Sequence, residues 1–409
     1  MPHLETKKYF QSFHWQPGEA GTLYLGHFLR GLALSLPGIF VPIFIFNLAN
    51  KPVIHSSLLV NNLVWAVFYY LAYAFFLSLC HLLLTDFLFR KFGFKNSIFF
   101  SNLFLIGAVS SWLAAETNFV FVFLAAFLAA LAVHFYWIPF HILFVRKANR
   151  GGNFGEESAA QLLWVSLAGA LGPLTAGLII KVFGFDTLFF LTLGLLLVAS
   201  LPILFFIHEH QHQQHQIKNI INNYALNPDY RKTTLAFAGK AVEGMLYDIF
   251  WPILLFLLLA DFAKIGFLVT ASIAVSILIM FLIGRVIEKQ KAGFFQKESV
   301  LVNTLLYLPR IFLTNPLGAY LIDVVDRLNG NIYSVSFIAE VYDKAKFSQN
   351  ESDFVVYQET VSHFSQFLVL LLALGILFFV PNWKMVFLLA AIGSGFSYFI
   401  FIPKGKSWE

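Results

Sequence analysis

The chain has little charge and almost no cysteine. Only 12% of its 409 residues are Asp, Glu, Lys or Arg, about half the share of an ordinary soluble domain. With one cysteine, Cys80, no intramolecular disulfide framework can form. No Gly-x-x-x-x-Gly-Lys-Ser/Thr stretch occurs, so ATP is not the expected energy source, and no cofactor is expected. Residues 1–21 lack an apolar core followed by a small-residue cleavage site, so the first apolar run is expected to stay with the chain.

What is abundant is apolar surface. Hydrophobic residues make up 59% of the chain and the mean hydropathy is +0.75, which makes a lipid bilayer the expected surroundings. The 50 phenylalanines carry no functional message, because a lipid-facing surface accepts Phe as readily as Leu. Runs long enough to cross ~30 Å of hydrocarbon fall at 22–48, 57–85, 98–114, 118–145, 159–181, 187–207, 233–259, 265–284, 298–313, 317–342, 360–380 and 385–402. The expected fold class is therefore an all-α polytopic membrane protein with twelve transmembrane helices. No connection is large enough for a soluble domain.

Placing both termini in the cytoplasm puts nineteen of the 27 Lys and Arg residues on cytoplasmic segments and five, including Lys181 and Arg310, on the opposite face. This asymmetry fixes the expected orientation by the positive-inside rule. It also accounts for the net charge of +5 without a nucleic-acid partner.

The two halves of the chain resemble each other. "FVPIFIF" (40–46) matches "FWPILLF" (250–256), and "KFGF" (91–94) matches "KAGF" (291–294). At an offset of 197, Tyr136 pairs with Tyr333, Phe140 with Phe337, Lys147 with Lys344, Ala148 with Ala345, Asn153 with Asn350 and Gln161 with Gln358. The expected organisation is a six-plus-six duplication. It comprises a cytoplasmic segment 1–21, bundles 22–207 and 233–403, a linker 208–232 and a tail 404–409. The linker opens with "HEHQHQQHQ", in which imidazoles at i, i+2 and i+4 could reach one metal ion. Its position and its Gln and Asn content read instead as a solvated tether that need not pack. A metal-transport role would need paired ligands inside the membrane, and no His-x-x-x-His or His-x-x-x-Asp stands at mid-span, so no metal ligands are expected.

In span five, "AGALGPLTAG" carries Ala168, Gly172, Pro173, Ala176 and Gly177. It resembles the antiporter motif of the major facilitator superfamily, with Ala twice in place of Gly. After span eight, "GRVIEKQK" resembles that family's cytoplasmic Gly-x-x-x-Asp-Arg loop through Gly284, Glu288 and Lys289. "TDFLFRKFGFK" after span two is a degraded version, with Arg90 where the acid is usual and Asp86 a turn earlier. The resemblance covers residues 20 to 403. It implies two six-helix halves and secondary transport of a small molecule, with rim pairs such as Asp86 with Arg146, or Glu288 with a basic partner, latching the outward-facing state. Independently of the resemblance, small residues at 168, 169, 172, 176 and 177 allow a neighbouring helix close approach, and Pro173 bends the helix.

Ionisable residues inside a membrane are costly unless paired or wet, so each is a functional candidate. In span ten, Asp323, Asp326, Arg327, Gly330, Asn331 and Ser334 share one helix face and read as the wall of a wet cavity, with Asp323 and Arg327 as an i, i+4 pair. Span seven aligns Lys240, Glu243, Tyr247, Asp248 and Trp251. Asp248 is the first choice for a proton carrier, and Lys240 and Glu243 are expected to pair with each other on the same helix. In span four, His134, Trp137 and His141 lie on one face. Arg30 in span one could hold an anionic substrate or pair with Glu243 across the halves.

The expectation is a proton-coupled secondary transporter of a small organic solute, leaning to export, acting as a monomer in the cell membrane. Uptake of a sugar or organic ion is the alternative. A non-transporting sensor or a membrane enzyme is the alternative of another class. The "HLLLTD" (81–86) pattern of acyltransferases does not support an enzyme, because a five-residue step on a helix points His81 and Asp86 apart.

Overall fold

Long apolar runs in lipid have no water to satisfy their backbone, so each must close its own hydrogen bonds as a helix. The computed structural model describes residues 19–148, 154–206, 217–287, 292–348 and 350–401, and these contain helices and turns with no strand. Helix α1 (Glu19–Ser35) passes through Pro37 and a 3-10 turn (Gly38–Phe40) into α2 (Val41–Asn47). There follow α3 (Leu58–Leu83), α4 (Gly93–Ala115), α5 (Phe121–Ala148) and α6 (Phe154–Phe206). The second part holds α7 (Arg231–Leu259), α8 (Phe262–Ile287), α9 (Ala292–Phe312), α10 (Pro316–Lys346), α11 (Glu351–Phe379) and α12 (Val386–Ser397).

Among the described residues, eight helical stretches are long and apolar enough to cross a membrane. They are Leu25–Asn47, Leu58–Leu83, Gly93–Ala115, Phe121–Leu143, Gly172–Pro202, Pro228–Leu259, Glu351–Phe379 and Trp383–Phe401. Helix α10 is 31 residues long but is kept out of this set by its charges. Helix α11 begins nine residues before the expected 360, because the Asn350 side chain accepts from the backbone N–H groups of Ser352 and Asp353 and caps it there.

Two junctions differ from the expected loops. The gap expected between 181 and 187 is not a loop. α6 runs through it with a single non-helical residue, Gly184, at φ 83° and ψ 176°. The turn before α4 has the same form, with Gly93 at φ 69° and ψ 163°. Both glycines stand in a Phe-Gly-Phe tripeptide, and both occupy a backbone region open essentially to glycine alone.

Residues 207–216, including the whole His strip, lie outside the described residues. Residues 217–230 correct the reading that the linker need not pack. They fold into short helical turns with Ile220, Tyr224 and Tyr230 buried. The Tyr224 ring stacks on Tyr357 of α11 at 5.3 Å and 20°. The apolar residues at three- and four-residue spacing are hidden in the segment's average by the Asn and Gln around them.

Helix contacts depend on small residues, as they must where burial from water gives no drive between spans. A Cβ on Gly172 of α6 would strike Ser35 of α1, and one on Gly177 would strike the Phe262 carbonyl at the start of α8. The reverse contact sets Gly266 of α8 against the Pro173 carbonyl. Thr270 Oγ1 accepts from the Leu174 backbone N–H at 3.2 Å. The largest buried apolar cluster joins Ile43, Val64 and Leu188 to Ile249, Phe250, Leu370 and Phe387, so residues from both parts of the chain share one core.

Candidate functional site

Among the described residues, three polar groups lie within the helices. The first is built by α7, α9 and α10. Asp323 and Arg327, one turn apart on α10, pair at 2.8 Å (Arg327 Nε to Asp323 Oδ2), and Trp251 Nε1 of α7 donates to the other Asp323 oxygen at 2.9 Å. Asp326 Oδ1 pairs with Arg310 Nη2 of α9 at 3.0 Å. Arg310 is 0% exposed. Its guanidinium carbon lies over the rings of Tyr307, Trp251 and Tyr247 at 4.3, 4.8 and 5.1 Å. Among the described residues no acceptor meets its N–H groups with hydrogen-bond geometry, so ring faces and the Asp326 charge stand in for acceptors. Lys240 Nζ pairs with Glu243 Oε2 at 2.9 Å, and Tyr307 donates its hydroxyl to Glu243 Oε1. Lys240 also lies 3.9 Å over the Tyr333 ring.

This network holds three acids and three bases and is neutral. Asp248 stands outside it. The residue is exposed although it lies past the middle of the 29-residue α7. Among the described residues no hydrogen bond or ion pair engages its carboxylate. Glu243 and Lys240 of the network lie within electrostatic range of it, as do Tyr70 and Tyr73 of α3.

The second group lies on α1, α4 and α5. Arg30 donates through Nη1 to Asn102 Oδ1 and sits 4.1 Å over the Tyr136 ring. His27 Nδ1 is 2.6 Å from the Tyr136 hydroxyl, and its ring stacks on Phe140 at 4.4 Å. Arg30 therefore does not pair with Glu243, contrary to one expectation. Asn102 reaches it first, and Glu243 is engaged by Lys240 and Tyr307.

The third group joins α3, α5 and α11. His134 Nδ1 is 3.0 Å from His81 Nδ1, and the His81 ring stacks on His363 at 4.9 Å and 10°. His363 Nε2 is 3.1 Å from Glu359 Oε2, while His141 Nε2 is 3.6 Å from the other oxygen. His141 Nδ1 meets the Tyr342 hydroxyl of α10 at 2.7 Å, and half-buried Trp137 stacks on His141 at 5.1 Å.

Lys181 Nζ donates at 2.7 Å to Asp261 Oδ2, in the turn between α7 and α8 beside the Gly177–Phe262 contact. That hydrogen bond holds the Asp261 carboxyl below its usual range. Asp86 is half-buried in the turn Thr85–Phe87. Its expected latch with Arg146 involves a side chain outside the described residues, and Glu288 lies outside them altogether. Gly284 lies in α8, and Asn331 is half-buried on α10.

The structure thus brings Asp323, Asp326, Arg327 and Glu243 into one network and leaves Arg30 and His134 in separate groups. Sequence reasoning missed Arg310, which was assigned to the outer face and instead is buried. The signal was Tyr307 one turn before it, with no other charge at that end of α9. It also missed Glu359 and His363, an i, i+4 pair, because span eleven was expected to begin after Glu359.

Charged pairs held inside long apolar helices define an integral membrane protein with a polar interior. No family model matches the chain, and no curated protein matches it. Solved structures do. Over 93% of this chain and 97% of the other, it is similar to the fucose:proton symporter FucP in its outward conformation, with 12% identity and a TM-score of 0.63. An autoinhibited peptide transporter of the POT family matches at 10% identity over 94% and 96%, TM-score 0.68. The human organic anion transporter MFSD10 matches at 10% identity over 95% and 100%, TM-score 0.64. The fold is that of the major facilitator superfamily transporters.

Proposed function

We propose that the chain is a secondary active transporter that moves a small organic solute by alternating access, driven by protons. In this reading twelve membrane helices form two six-helix bundles, 22–207 and 233–403, joined by the linker 208–232. The monomer sits in the cell membrane with both termini in the cytoplasm. The observation that carries the proposal is Asp248. It is an unpaired, accessible carboxylate beside a neutral six-charge network, inside a fold shared with transporters. A charge at that depth is costly, and a structural charge would have been neutralised as its neighbours are. Asp248 is the proton carrier. Half-buried Arg327 and Asn331 form one wall of the solute cavity, with Asp323, Asp326, Glu243 and Arg310 buried behind them. Trp137 faces it from the other bundle, with Arg30 and His134 buried behind.

Export is the preferred direction, supported by Gly172, Pro173 and Gly177, which let α6 pack closely on α1 and α8. Uptake of a sugar or organic ion is the second reading, favoured by the aromatic faces of Tyr136 and Phe140 beside Arg30. Asp248→Asn tests the carrier role in proteoliposomes screened against a solute panel. Asn keeps the shape and hydrogen bonding of the protonated acid but cannot release a proton. The expected result is loss of proton-driven accumulation with downhill exchange retained. A variant that still concentrates solute against a gradient removes Asp248 from the mechanism.

A further inference from the structure

The buried cluster between α3 and α11 has a chemistry that the transport reading does not use. We propose that His81, Glu359 and His363 bind a divalent transition-metal ion of the zinc class, tying α3 to α11.

Geometry comes first. One ligand atom from each of the three residues lies within 4.8 Å of the others, and all three residues are buried. Ligand atoms of a tetrahedral shell with bonds of 2.0–2.1 Å are roughly 3.3 Å apart. His363 Nε2 and Glu359 Oε2, at 3.1 Å, already have that spacing. The His81 ring is stacked on His363 at 4.9 Å and 10°. It has to close by up to about 1.5 Å and turn out of the stack, so that both in-plane lone pairs meet at one point and complete a shell of that size.

Hydrogen bonding comes second. His81 is 1% exposed, and its Nε2 has no partner among the described residues. A buried nitrogen left in that state is costly and calls for an explanation. Its other nitrogen, Nδ1, faces His134 Nδ1 at 3.0 Å. When His81 donates its Nδ1–H to His134, Nε2 is left as a bare, buried lone pair. His363 repeats the arrangement. Its Nδ1 lies 2.8 Å from Gln366 Oε1, and donation there leaves the Nε2 lone pair facing the Glu359 carboxylate. Two lone-pair atoms at that distance repel unless a proton or a metal cation lies between them. An ion bound to His81 Nε2, His363 Nε2 and Glu359 Oε2 removes both faults. It leaves each imidazole oriented by an outer acceptor, as metal-bound histidines usually are.

The donor set selects the ion. Two neutral imidazoles and one carboxylate suit zinc, cobalt or nickel, whereas magnesium and calcium prefer an all-oxygen shell. His81 comes from the first part of the chain and the other two ligands from the second. An ion here is a clasp across the molecule rather than a cargo in a passage.

The test is direct zinc binding by the purified full-length chain, with His208, His210, His212 and His215 changed to Gln so that the linker strip contributes nothing. After chelator treatment, zinc is titrated against a chromophoric competitor and cobalt is followed by its visible absorption. The expected result is one ion per chain, a tetrahedral cobalt spectrum and a zinc-dependent rise in melting temperature. His81→Gln, His363→Gln and Glu359→Gln should each abolish the spectrum. His134→Phe, which removes only the outer partner, should weaken binding about 10–100-fold. Failure of the strip-free parent to bind zinc overturns the proposal. So does full binding by a folded His81→Gln or His363→Gln variant, which would leave Glu359 and His363 as a protonated pair only. The assay needs no solute, so its outcome stands apart from that of the transport experiment.

Discussion

Replacing Arg310 by Met removes a buried cation while keeping an unbranched side chain among the same rings. Arg310 Nη2 lies 3.0 Å from Asp326 Oδ1, and Arg310 is 0% exposed. At that separation and an effective dielectric of about 20, the attraction is about 5–6 kcal/mol. Removing one partner of a buried pair typically costs about 3–5 kcal/mol, because the other charge is stranded. Each lost ring face adds about 0.5–2 kcal/mol, partly regained by sulfur–aromatic contact. Arg310→Met should therefore lose about 4 kcal/mol. Asp326→Asn should lose a similar amount, because it strands Arg310. The double variant strands neither charge and should return to within about 2 kcal/mol of the parent, since a buried pair is often replaceable by apolar groups. Denaturant unfolding of the four purified proteins in one detergent gives the cycle. A single variant within about 1 kcal/mol of the parent would refute the reasoning. So would a double variant that loses the sum of both singles.

Gly266→Val should lower stability by about 1–3 kcal/mol, read by thermal unfolding, because its side chain meets the Pro173 carbonyl and forces α6 from α8. An unchanged melting temperature would show that the two helices are not in close contact. For Asp261, whose folded pKa is depressed by Lys181, the pair's stabilisation is complete above the ordinary carboxylate value of about 3.9 and is lost only as pH falls through the lowered value. Lys181→Met should thus have the same effect at pH 5 as at pH 7, and a difference that grows over that interval contradicts the assignment. Tyr224→Ala should cost about 3 kcal/mol by unfolding, because the ring is buried against Tyr357. Equal stability would return this segment to the status of a loose tether.

Much of the α10 face was legible because its charges repeat at three and four residues on a single helix, so Asp323 with Arg327 follows from spacing alone. Lys240 with Glu243 was legible for the same reason. Pairings between helices were not. Arg310 meets Asp326 only because α9 and α10 lie side by side, and periodicity within α9 carries no trace of a partner outside it. His81 and His363 lie on helices far apart in sequence, so nothing local joins them. The extra turns at the start of α11 were hidden because Glu351, Asp353 and Glu359 lower the local hydropathy, although Asn350 marks the cap. Helix α6 ran through an expected gap because the signal for a corner, Gly184 between two phenylalanines, was too short to register as a loop.

The two Phe-Gly-Phe corners have a bearing on where this chain can be lengthened. At Gly93 and at Gly184 one helix becomes the next across a single residue, with no slack on either side. An epitope tag, a reporter domain or a natural insertion placed there must break a helix to be accommodated. The stretch between Leu48 and Ser57 has no such restriction, because it joins α2 to α3 without helix. Sequences that share this architecture are thus expected to vary in length between α2 and α3 while keeping both corners at one glycine, and length variation at 93 or 184 would mark a different way of turning the chain.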